Sequence, residues 1–200
     1  MTFVRIIEPA EAEGQVREMY EGIQQQCGEI PNWATIFSLR PPVRDAWNTL
    51  LKAVRSNLPV RTYELATMTA ARALQNSYCA LAHGKVLADG VFDSRAVAAI
   101  ATGGGDAALE PREVAMIAFV EKVVRNAASV TADDVETLRS QGYSETDIFD
   151  IVAAASARCF FSTLLDALGV QADRSYLNLD APLREALTVG RPIAGEVSSR

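Results

Sequence analysis

Three residues of this chain stand at spacings that suit proton transfer at a reactive sulfur: Glu64, Cys79 and His83. His83 is the only histidine in 200 residues, and it follows one of the three cysteines by four positions. A single histidine placed at random would do so about 3 times in 200. On a helix, i and i+4 share a face, so thiol and imidazole can approach each other. Cys79 follows Gln75-Asn76-Ser77, which ends in two good N-cap residues and so puts the thiol in the first turn of a helix. Unpaired backbone N–H groups and the helix dipole favour a thiolate there. The thiolate is the form that reduces peroxides and exchanges with other thiols, and an imidazole one turn away can hold or deliver the proton.

Glu64 is a carboxylate inside an otherwise apolar, Ala-rich helical run, Val60 to Leu74. If the chain reverses around Leu74 to Asn76, antiparallel packing sets Glu64 opposite residues near 84 to 88, with His83 within about one helical turn, roughly 5 Å along the axis. The expected relay runs Glu64 to His83 to Cys79, with no direct contact between its ends. Plainer readings stand beside it. Each cysteine reads as a buried core thiol, His83 as a hydrogen-bonded structural histidine, and Glu64 as a carboxylate paired with Arg61 or Arg72 or simply solvated. Asn76 reads as an N-cap, and Tyr78 as a packing residue ahead of its other reading, a hydrogen-bonding group of the pocket. Trp33, Trp47, Phe160 and Phe161 read as core or interface aromatics, and Arg125 and Arg139 as solvated.

The elements that must position these residues are helical throughout. Glu11 to Gln26 has helical spacing and stops at Gly28; a short apolar segment, Ala34 to Leu39, ends at Pro41-Pro42. Val43 to Ser56 carries a stripe of Val43, Ala46, Trp47, Leu50, Leu51 and Val54, and Tyr78 to Asp89 ends at Gly90 as a natural C′ residue. Further helices are expected at Ser94 to Ala101, from Pro111 to about Asn126, after the capping boxes at Thr131 and Ser144, and at Pro182 to Thr188. No alternation of strand type has useful length. The expected architecture is a single all-α domain over 1–200, a compact bundle of roughly eight helices with a C-terminal arm from about 174.

Composition excludes several classes. Lys+Arg number 19 against 25 Asp+Glu, a net charge of -6, so a phosphate backbone is repelled and nucleic acid is not the expected partner. Three cysteines, an odd number, do not make a disulfide framework, and one histidine leaves little for a metal site, so neither metal nor cofactor is expected. Gly103-Gly104-Gly105-Asp106 is no phosphate loop, because no strand precedes it and no lysine follows. The N-terminal residues meet Glu8 and Pro9 before an apolar run of signal length, and no membrane span is expected, which makes cytoplasmic the default location. A mean hydropathy of +0.07 points to some apolar surface used in subunit contacts.

Glu64, with Cys79 fifteen residues later and then His83, resembles the alkylhydroperoxidase D-like, or carboxymuconolactone decarboxylase-like, superfamily. That family's signature is a Glu, a Cys-x-x-Cys pair, and a His four residues after the second Cys. The resemblance is closest over Pro41 to Gly90, within an expected core at about 41–125. Gly28-Glu29-Ile30-Pro31-Asn32, Thr131-Ala132-Asp133-Asp134-Val135 and Asp166-Ala167-Leu168-Gly169-Val170 extend it toward the longer, peroxidase-related branch. It implies Cys79 as the thiol that attacks peroxide, His83 and Glu64 as its relay, and a homo-oligomer. The chain departs from the pattern at two positions: the resolving first Cys falls on Asn76, and the His some members place before the reactive Cys falls on Tyr78. A single-Cys cycle then needs an external thiol reductant, or Cys27 or Cys159 brought close.

The expected function is therefore a thiol-dependent peroxidase-like enzyme acting on a small-molecule hydroperoxide. Two alternatives remain: a redox-silent lyase or isomerase on a small carboxylated metabolite, and a non-catalytic oligomeric subunit.

Overall fold

The computed structural model describes residues 2–104 and 108–196. Gly105 and Asp106, the second half of the glycine-rich run, lie outside the described residues. Among the described residues there are ten α-helices and no strand: α1 Gly14–Cys27, α2 Asn32–Thr35, α3 Pro41–Arg55, α4 Val60–Ala73, α5 Ser77–Gly90, α6 Ser94–Ala101, α7 Pro111–Asn126, α8 Ala132–Ser140, α9 Glu145–Ala167 and α10 Ala181–Leu187. The all-α expectation holds, with ten helices rather than about eight. Pro41-Pro42 opens α3 instead of only ending the segment before it, because proline's fixed φ suits the first helical turn, where its missing N–H would be unpaired anyway. Gly90 is the last residue of α5 rather than its C′ residue, and α1 starts at Gly14, after a 3-10 turn at Pro9–Glu11. The boxes at Thr131 and Ser144 form as expected, each hydroxyl accepting from the N3 amide while the N3 aspartate accepts from the cap amide.

α4 is the central helix. Its residues from Tyr63 to Ala71 are all buried, and several are alanine or threonine. Small side chains on every face let α5, α7 and α9 pack against it, and the contact with α5 is the most extensive. Thr67 keeps its buried hydroxyl satisfied by donating to the Tyr63 carbonyl (2.8 Å). α9 is long and apolar enough, by length and composition, to cross a membrane; half of its most apolar window is buried inside the molecule. It packs against α3, α4 and α7.

The C-terminal segment packs on the body through α10, which lies against α6 and α5. Leu187 presses its methyls on Gly84, where a Cβ would meet Cδ1 at 2.4 Å. Just beyond, Gly190 donates its amide to Ser77 Oγ (2.8 Å) and lies against the turn between α4 and α5. Gln75 in that turn adopts a left-handed backbone, φ 57°. A Cβ on Gly190 would stand 1.9 Å from the Gln75 carbonyl oxygen, so backbone rather than a flexible side chain would have to yield. Gly190→Ala is expected to cost about 1–3 kcal/mol and lower Tm by several degrees. Gly22→Ala, whose Cβ would meet nothing within 4 Å, serves as the neutral or stabilising control in the same melting experiment. Equal Tm for Gly190→Ala and wild type would contradict the close approach.

Candidate active site

The site begins at the junction of α4 and α5. Asn76 is completely buried and caps α5: its Oδ1 accepts from the Cys79 amide at 2.8 Å. Its Nδ2 donates to Asp166 Oδ2 (2.8 Å) and to the Ser162 carbonyl (3.2 Å), both on α9. Asparagine thus performs a task a thiol could not, since it joins the first turn of α5 to α9 with a donor and an acceptor on one side chain. Cys79 sits at the third position of that helix, buried.

The antiparallel packing of α4 on α5 sets Glu64 against His83 as expected, with Oε2 and Nδ1 2.5 Å apart. The carboxylate's other oxygen faces Arg55 at 3.9 Å. The plainer pairings of Glu64 with Arg61 or Arg72 do not form. Arg61 binds Glu113 on α7 (2.5 Å), and Arg72 has no partner for its buried Nε. His83 is driven down to about 4, first by burial and next by the nearby Arg158 cation, against the pull of Glu64. At neutral pH the ring is neutral. A neutral ring bound to a carboxylate through Nδ1 carries its proton there, which leaves Nε2 as the free base. No hydrogen bond joins His83 to Cys79, although both line one cavity.

What touches the sulfur is Arg158, with Nη1 3.5 Å from Cys79 Sγ. This arginine is 5% exposed, its Nε has no partner, and it pairs with no carboxylate among the described residues. Burial alone would lower its proton affinity; the Cys79 and Tyr63 side chains more than offset that and raise it. Its guanidinium also lies 5.6 Å from the Phe161 ring and 6.0 Å from that of Trp47. Inspection of the sequence missed Arg158. A signal was present, because Arg158 and Asp166 stand two helical turns apart on one face of α9, and both meet the start of α5.

Cys79, His83 and Arg158 open onto a cavity of about 280 Å³. Trp33, Trp47 and Phe161, expected as core or interface aromatics, form walls of it; Trp47 stacks on Phe161 with centroids 4.8 Å apart. Tyr78 does more than pack. It donates its hydroxyl to Asp173 and accepts from the Trp33 amide (3.2 Å), tying α2 to the segment after α9. Burial, Asp173 and the hydrogen bond all push its phenol well above the ordinary range, so it stays neutral. Cys159 is half-buried beside Arg158, Cys27 is exposed at the end of α1, and all three cysteines are free. No cluster able to hold a metal occurs among the described residues.

The family model of the carboxymuconolactone decarboxylase family matches residues 41–122, which hold Glu64, Cys79 and His83. No curated protein matches the chain in sequence. Among solved structures, the chain is similar to an uncharacterized peroxidase-related protein from Ralstonia eutropha JMP134, described as an alkylhydroperoxidase core. The two are 23% identical over 88% of this chain and 94% of that one, with a TM-score of 0.78. An uncharacterized peroxidase-related protein from Silicibacter sp. TM1040 is 20% identical over the same shares, with a TM-score of 0.79. The debrominase Bmp8, with a cysteine replaced by alanine and 2,3,4-tribromopyrrole bound, is 19% identical over 94% of this chain and 96% of that one (TM-score 0.66). At these identities the likeness establishes the fold.

The depressed affinity of His83 has a consequence for stability. Between about 6.5 and 4 the unfolded chain takes up a proton at His83 that the folded chain refuses. Its contribution is therefore complete above the unfolded value and declines as pH falls through that window, by on the order of 3 kcal/mol. Urea denaturation of wild type and His83→Gln from pH 7 to 4 should show a shallower decline in the variant. Parallel curves would contradict this.

Proposed function

We propose that the chain is an alkylhydroperoxidase D-like, carboxymuconolactone decarboxylase-like protein, a reading supported by the family-model match over residues 41–122, and that it is a thiol-dependent peroxidase with Cys79 as its single redox sulfur. The observation that carries the reading is the contact of the Cys79 sulfur with a buried guanidinium that has no carboxylate partner among the described residues. An acid–base lyase has no use for a cation at the sulfur; a thiolate and a sulfenate both do.

The chemistry proceeds in two balanced steps. The Cys79 thiol gives its proton to His83 Nε2, directly or through the hydroperoxide's own hydroxyl, while Glu64 holds the opposite ring nitrogen. The sulfur anion, facing Arg158, attacks the distal oxygen of R–O–OH; an S–O bond forms as the O–O bond breaks. Sulfur loses two electrons, and the departing alkoxide takes the proton from the imidazolium, giving Cys79–SOH and R–OH. His83 is a weak base, so its proton is held briefly and donated readily. Asn76 stands where a resolving thiol would be, and reduction falls to an external thiol. Two equivalents convert the sulfenic acid to thiol and water and leave as a disulfide.

A second reading rests on the aromatic cavity walls and on the debrominase complex: the same sulfur attacks a ring-bound bromine, and an S–Br bond forms as the C–Br bond breaks. The ring carbon takes the proton held by His83, and two equivalents of external thiol convert the sulfenyl bromide to thiol and bromide and leave as a disulfide. Both readings need Cys79. Turnover of tert-butyl hydroperoxide with dithiothreitol should fall at least 100-fold in Cys79→Ser and persist in Cys27→Ser and Cys159→Ser. Peroxide followed by dimedone should add one label, at Cys79. Undiminished turnover in Cys79→Ser would overturn the reading.

A further inference from the structure

The cavity beside Cys79 carries a charge opposite to that of the protein. The chain has a net charge of -6, yet two arginines, Arg44 and Arg158, line the cavity, and no aspartate or glutamate does. The adjoining groove shares Gln26, Asn48 and Leu51 with the cavity and adds Lys52 and Arg55, again without an acidic lining residue. A concave site lined by one sign of charge draws in and holds the opposite sign.

The two cavity arginines differ in their partners. Arg158 faces the sulfur. The Arg44 side chain is 14% exposed; its nearest carboxylate, Asp45, lies 3.6 Å away and is itself 73% exposed. Asn48, with its amide oxygen turned toward Arg44, accepts from the guanidinium at 2.7 Å. That leaves a largely buried cation, oriented by a neighbour and, among the described residues, held by no buried anion. A charge removed from water needs a partner, and a bound carboxylate would be one, with the forked geometry that guanidinium favours.

The remaining surface determines the rest of the ligand. Trp33, Trp47 and Phe161 present flat apolar area, and the volume of about 280 Å³ lies at the small end for ligand sites. Resting on the proposed role of Cys79, we infer that the substrate is a small aromatic carboxylate: its ring packs among these three side chains, Arg44 meets its charge, and a peroxy substituent faces Cys79.

Binding can be read without turnover, so this inference and the peroxidase reading fail separately. The chain has two tryptophans, and both line the cavity, so intrinsic fluorescence reports on it directly. Cys79→Ser protein titrated with benzoate should give saturable quenching, with benzamide at least 10-fold weaker. Arg44→Gln should weaken benzoate at least 10-fold and leave benzamide unchanged, with Arg44→Lys in between. Cyclohexaneacetate, charged but not flat, should bind more weakly than benzoate. If Arg44→Gln does not fold, the contrast between benzoate and benzamide on the parent protein decides the matter. Equal affinity for those two, absence of saturable quenching by benzoate, or an Arg44→Gln protein that binds benzoate normally would overturn the inference.

Discussion

A guanidinium buried in an apolar interior is tolerable only where something answers its charge, and the arrangement around Arg158 follows from that constraint. Arg158 emerges from the middle of α9 with no carboxylate beside it among the described residues; what it meets is the Cys79 sulfur, the Tyr63 side chain and aromatic faces. Any change that draws an electron pair onto the sulfur relieves the unbalanced charge. The same cation works against protonation of His83, so the imidazole beside the sulfur is held neutral. Replacing such a buried charge without its partner is costly in general, which ties the chemistry of the site to the stability of the core.

The backbone around the site is organised to keep that contact in register. Asn76 joins α5 to α9, Gly190 and Ser77 join the C-terminal segment to the same turn, and Tyr78 joins α2 and the Asp173 region to it. Four stretches distant in sequence converge on three consecutive residues at the start of α5. In the family's pattern one of those positions is a thiol. Here it is a cap whose loss would cost about 0.5–2 kcal/mol and would free α9 from α5. The asparagine holds the first turn of α5 and the end of α9 together at that place.

Much of this was legible in the sequence, for physical reasons. Helix ends carry local signals: the boxes at Thr131 and Ser144, Pro111 at a first turn, and glycine after α1 are written within a few residues. The Glu64–His83 contact followed from one assumption, an antiparallel turn near residue 75, because two helices then share a register. Arg158 and Arg44 were not found, since nothing local distinguishes a buried arginine from a solvated one; only the tertiary contact does. Tyr78 was expected to pack because its partners, Asp173 and the Trp33 amide, are remote in sequence. Pro41-Pro42 was read as a stop where it serves as a start, an ambiguity that lies in proline itself.

The dependence of the sulfur on the buried cation can be measured directly. Under pseudo-first-order conditions at pH 7, with Cys27 and Cys159 replaced by serine, Cys79 is alkylated by iodoacetamide in parent and Arg158→Met protein. Circular dichroism checks that both are folded. Methionine keeps much of the volume and removes the charge, so the predicted result is a rate at least 10-fold slower in the variant, partly restored by Arg158→Lys. Equal rates in a folded Arg158→Met protein would contradict the account, because the guanidinium would then do nothing for the sulfur it touches.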